Sequence, residues 1–146
     1  MSLTSIAGKL FIPRQKDLMK HTTQPEQLQQ KVLSHLLERA ADTQYGPRHH
    51  FENIRGYDDY AAQVPVNTYE ELKNDIDRMR HGEANVLWPG TVRWYAKSSG
   101  TTADKSKFIP VSREGLQKIH YAGATDTVIV YLGNNPKSRL FDGRAL

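Results

Sequence analysis

The sequence contains no cysteine. Disulfides, thiolate catalysis and cysteine-based zinc sites are therefore excluded. A cysteine-free chain suits a reducing compartment, and a cytoplasmic location is the expectation. No stretch has the apolar length needed to cross a bilayer, so no membrane partner is expected. The opening MSLTSIAGKLFIPRQK has neither a continuous apolar core nor a small-residue cleavage site, so no signal peptide is read. Internal repeats and low-complexity tracts are missing too. Neither sign of charge dominates: 20 Lys and Arg stand against 16 Asp and Glu, a net +4. That excess suits anionic ligands without requiring nucleic acid.

The 146 residues suffice for one domain of the usual roughly 100–200. Hydrophobic residues at 38% and charged residues at 25% describe a polar but globular chain. Leu28, Val32, Leu33, Leu36, Leu37 and Ala40 recur at helical spacing behind Pro25, which suits a first helical position. Leu3, Ile6, Ala7, Leu10 and Phe11 predict an earlier helix, a break at Pro13 and a second helical piece. A short helix is expected over Tyr57–Ala62, and Val64 before Pro65 should be extended. Thr68 with Glu71 three residues on forms a capping box for a helix ending at Gly82.

TVRWYAKS reads as a strand and KFIPV as a second, short one. Ser112 then caps a further helix, with Leu116, Ile119 and Ala122 behind it. In TDTVIVYLG, four β-branched residues in a row favour a strand. The unbroken run from Ser112 tips that reading to helix. The expected class is α/β, helices first and a small sheet beginning near Val92.

Between the two strands lies SSGTTADKSK. Gly100 lets the backbone turn sharply and approach an anion. Ser98, Ser99, Thr101 and Thr102 bring hydroxyl donors, and the loop's amides add more. Lys105 and Lys107 supply mobile positive charge. The stretch fails the Walker A pattern, because no second glycine precedes a lysine and a strand follows. Ordinary solvated hairpins use the same residue types, so the residues alone leave a phosphate cradle and an inert loop both open.

SSGTTADKSKFIPVS resembles the phosphate-binding loop of the adenylate-forming superfamily. The late Lys107 with Pro110 downstream is similar to the auxin-responsive Gretchen Hagen family of acyl acid amido synthetases. The flanks on both sides look like that family's bacterial members, so the resemblance covers nearly the whole chain. It implies the N-terminal part of one adenylating domain over residues 1–146. Ser98, Ser99, Gly100, Thr101 and Thr102 would hold ATP phosphates, with Lys107 and, more loosely, Lys105 neutralising charge. Ala103 stands where glycine is common, and Asp104 brings a negative charge beside the phosphates. The implied cofactors are ATP and magnesium, and the implied substrates are a carboxylic acid and an amino acid. No catalytic residue and no metal ligand is singled out.

The end at NNPKSRLFDGRAL carries no closing signal, and the expectation is a fragment of a longer enzyme, inactive alone. Its cut sheet would have unpaired edges open to self-association. Two other classes remain. Arg93, Lys97, Lys105 and Lys107 with Trp88 and Trp94 could form a basic-aromatic patch for single-stranded nucleic acid, the less favoured reading. An inert interaction domain is the other. His49 and His50 read as a surface turn, His120 as a helix-face histidine, and Asp58, Asp59 and Glu70 as solvated charge.

Overall fold

The computed structural model describes residues 3–98 and 106–142. Its elements, in chain order, are α1 (Leu3–His21), α2 (Pro25–Ala40), α3 (Tyr45–Arg48), a 3-10 turn (Phe51–Asn53), α4 (Tyr57–Gln63) and α5 (Tyr69–Arg80). Then come β1 (Trp94–Lys97), β2 (Phe108–Val111), α6 (Arg113–Gly115), a π-helical segment (Leu116–Tyr121) and α7 (Ala122–Asn134). Helices thus precede a small sheet, as the α/β expectation has it. The chain divides into two compact units, Met1–Pro25 with Leu116–Leu146, and Glu26–Gly115.

In the first unit α1 runs alongside α7, and Ile129 and Leu132 are buried. The expected break at Pro13 does not occur: α1 passes through it. A proline there removes its own amide bond to the preceding turn and crowds the carbonyl four residues back, a cost the rest of the helix outweighs. The next residue, Arg14, forks onto Asp126 of α7 at 2.9 and 2.7 Å. That bidentate ion pair holds α1 against its neighbour just past the lost bond. Nearer the start, the Thr4 hydroxyl donates to Asp142 at 3.2 Å and accepts from the Phe141 amide at 2.9 Å.

The β-branched run 127–130 is helical, as the longer pattern predicted. Thr125 and Thr127 donate their hydroxyls to the carbonyls of Tyr121 and Gly123, each at 2.9 Å. This back-bonding satisfies each hydroxyl within the helix, though it does not add to helix stability.

The second unit has two apolar clusters. Leu37, Ile54 and Val64 are buried together, flanked by Leu33, Tyr45, Phe51 and Tyr60. On α2 the predicted stripe is only half used: Leu37 and Ala40 are buried, but Val32 and Leu36 are exposed. Thr43 ties the end of α2 to α3, donating to the Ala40 carbonyl at 2.7 Å and accepting from the Gly46 amide at 3.2 Å. Gly46 is thereby pressed onto backbone.

The other cluster joins Met79, Val86 and Val92, with Leu87, Trp88 and Tyr95 around them. Met79 and Val86 are almost fully buried, each contributing about 1.5–3 kcal/mol by transfer from water. Around them α5 carries a charged girdle. Asp75 is buried and accepts from Arg48 and Arg78, each at 3.0 Å. Glu83 accepts from Arg78 and, at 2.9 Å, from Gln44. The Arg78 hydrogen bond first, and then that from Gln44, hold the Glu83 carboxyl down to about 2. Gly82 ends α5 at φ 93°, and Gly90 donates to Asn85 Oδ1 at 2.7 Å to close the following turn.

Two outcomes follow. A Cβ at Gly46 would lie 2.5 Å from the Ala40 carbonyl oxygen and 2.6 Å from that of Ala41. Neither backbone atom can yield, so Gly46→Ala should lower stability by about 1–3 kcal/mol in urea unfolding. Glu83's folded pKa lies below its ordinary 4.5. Its stabilising effect is therefore complete above pH 4.5 and lost as pH falls toward 2. Across that window the melting temperature should drop less in Glu83→Gln than in the parent chain, and salt should narrow the gap.

Candidate functional site

The site is the mouth of the hairpin between β1 and β2. The strands pair antiparallel with Trp94 opposite Val111, Tyr95 opposite Pro110, Ala96 opposite Ile109 and Lys97 opposite Phe108. The strand read as TVRWYAKS begins only at Trp94. Val92 is already packed into the second apolar cluster and lies outside the ladder.

One step beyond the ladder, Ser98 and Lys107 close the loop's neck. The Ser98 amide donates to the Lys107 carbonyl at 3.0 Å. The Lys107 amide donates to Ser98 Oγ at 3.1 Å. Ser98 Oγ accepts here, which leaves its O–H to donate elsewhere. The structure thus brings together two of the predicted phosphate-holding residues, both half-buried. Ser99, Gly100, Thr101, Thr102 and Lys105 lie outside the described residues.

The neck is fastened to α5. The Phe108 amide donates to the Tyr69 hydroxyl at 3.1 Å. Lys107 Nζ sits 5.5 Å from the Tyr69 ring centroid, and the Arg80 guanidinium lies 3.8 Å from that of Phe108. Cations over aromatic faces attract the ring's negative quadrupole. Sequence reasoning missed Tyr69 and Arg80. Tyr69 follows its helix cap directly and precedes Phe108 by 39 residues, so no local pattern links them.

The two tryptophans of the basic-aromatic patch differ in setting, and its Lys105 lies outside the described residues. Trp88 packs with Met79, Val86 and Val92, whereas Trp94 is 45% exposed on β1. Tyr95, the residue after Trp94, is half-buried, and burial pushes its phenol up. No helix of the described residues is long and apolar enough to cross a membrane.

Ser98→Ala removes the acceptor of the Lys107 amide. Hydrogen exchange at Lys107 should accelerate, with stability reduced by about 0.5–1.5 kcal/mol. Unchanged exchange at that amide would refute the neck geometry.

Residues 14–146 match the GH3 family N-terminal domain. Among similar proteins is indole-3-acetic acid-amido synthetase GH3.2 of Arabidopsis thaliana. It is 32% identical over 104 residues, covering 70% of this chain and 19% of that protein. Indole-3-acetic acid-amido synthetase GH3.6 of the same plant is 32% identical over 98 residues, 66% of this chain and 16% of that protein. The matched stretch therefore spans less than a fifth of the length of these relatives. With the match reaching over nearly its whole length, the chain belongs to the GH3 family, by its N-terminal domain.

Proposed function

We propose that this chain supplies the ATP phosphate-holding loop of an acyl acid amido synthetase. The observation that carries the reading is the closed neck. Ser98 and Lys107 bond across it and bracket a stretch rich in hydroxyls, with Gly100 inside. Family membership supports it, and two relatives carry the name indole-3-acetic acid-amido synthetase.

In the first step a substrate carboxylate oxygen attacks the α-phosphorus of ATP. The bond to the β-phosphate oxygen breaks, and pyrophosphate leaves an acyl-adenylate behind. An amino acid's amine then attacks the activated carbonyl, AMP leaves, and the nitrogen sheds a proton as the amide forms. The residues assigned to the loop are Ser98, Ser99, Gly100, Thr101, Thr102, Lys105 and Lys107. Their task is to position the triphosphate and neutralise the charge gathering on pyrophosphate. Ser98 fits this, because its O–H remains available while its oxygen braces Lys107. Magnesium would add charge neutralisation, held chiefly by phosphate oxygens and water.

The carboxylic acid and the amino acid are left as classes. By itself the 146-residue chain is expected to bind magnesium–ATP only weakly and to make no amide. The test is acid-dependent ATP–pyrophosphate exchange in a protein carrying this segment with the remainder of a GH3 enzyme. Lys107→Ala should slow exchange by about tenfold or more, on the scale of a lost charge-assisted contact. Exchange at the parent rate in both Lys107→Ala and Thr101→Ala would remove the loop from the reaction.

A further inference from the structure

We propose that Tyr69 is a positioning residue for the loop: it holds Lys107 and the start of β2 in place, and through them sets affinity for a triphosphate. The triphosphate half of this rests on the function proposed above; the positioning half stands on geometry alone.

The geometry begins in the pairing of the strands. Ser98 and Lys107 exchange bonds across the neck, so their polar groups face inward. Alternation along an antiparallel pair then turns the amide positions of Phe108 and Pro110 to the outer edge. Pro110 has no N–H to satisfy. Phe108 has one, and the Tyr69 hydroxyl accepts it at 3.1 Å.

Tyr69 is itself fixed. It is the first residue of α5, directly after Thr68, whose side chain accepts from the Glu71 amide while Glu71 accepts from the Thr68 amide at 2.6 Å. Its ring lies against the Lys107 ammonium, and its hydroxyl against the next residue's amide. One side chain thus touches the loop's last cation and the strand that carries it. From the other end of α5, Arg80 lies over the Phe108 ring while bonded to Asp77 at 3.0 Å. The exit of the loop is therefore held at two points on one helix, whereas its entry, at Ser98, is held across the hairpin.

The test uses the 146-residue chain, with Tyr69→Phe, Tyr69→Leu, Lys107→Ala and the Tyr69→Leu/Lys107→Ala double variant. The Lys107 ε-methylene should resonate upfield of the other lysines through the ring current. Tyr69→Phe should keep that shift and speed exchange of the Phe108 amide; Tyr69→Leu should abolish it. In magnesium–ATP titrations followed by NMR, Tyr69→Leu should weaken binding roughly three- to tenfold, the scale of one cation–π contact. The double variant should bind no more weakly than Lys107→Ala alone, because the two residues act as one.

A Lys107 shift indifferent to Tyr69→Leu would overturn the positioning role. Additive losses in the double variant would overturn the claim that Tyr69 acts through Lys107. A parent chain that gives no response even to saturating, millimolar magnesium–ATP would instead sink the phosphate reading, and the Lys107 shift would still decide the positioning role.

Discussion

The first turn of α5 is the point from which the second unit is organised. Thr68 and Glu71 satisfy each other's backbone amides, so the helix starts at one residue and cannot fray into its neighbour. Everything placed by α5 inherits that fixed start. Tyr69 reaches the strand leaving the loop, Asp75 draws in Arg48, and Met79 seeds the buried cluster with Val86 and Val92. A drifting helix start would rotate all three at once. A capping contact usually contributes about 0.5–2 kcal/mol, but here it also sets the helix phase on which a cluster, an ion-pair girdle and a hairpin depend.

The girdle shows how charge can be placed beside a core without harm. Asp75 is buried, and a buried carboxylate is costly unless it is paired. Two arginines meet it, and both keep about half of their side chains in water. Arg78 also turns to Glu83, past the end of the helix. One guanidinium therefore spans the last turns of α5 and the segment that follows, where Gly82 reverses the chain. The network stitches the helix exit as the capping box stitches its entry.

Much of this was legible in the sequence where the cause was local. The capping box, the stop at Gly82, the extended Val64 and the Ser112 cap all follow from residues within a turn of one another. Readings that depended on distant partners fared less evenly. Pro13 suggested a break because nothing nearby announces that Asp126 will clasp Arg14. Val32 and Leu36 share the apolar face of α2, yet that face is wider than what the second unit covers. The loop's two ends were recognisable from composition, but the tether of its exit to Tyr69 and Arg80 crosses long stretches of chain. Only tyrosine's mixed character, an apolar body with a polar tip, hinted that residue 69 would seek a partner.

The proline of β2 settles which way this sheet can grow. A strand approaching the outer side of β2 would find no donor at Pro110, and the donor at Phe108 already taken by Tyr69. It could make only half a ladder. The opposite side, along β1, turns out the amides of Tyr95 and Lys97 by the same alternation. The hairpin is directional: β1 presents the fuller set of outward amides, and α5 is left guarding the flank that carries the loop's exit.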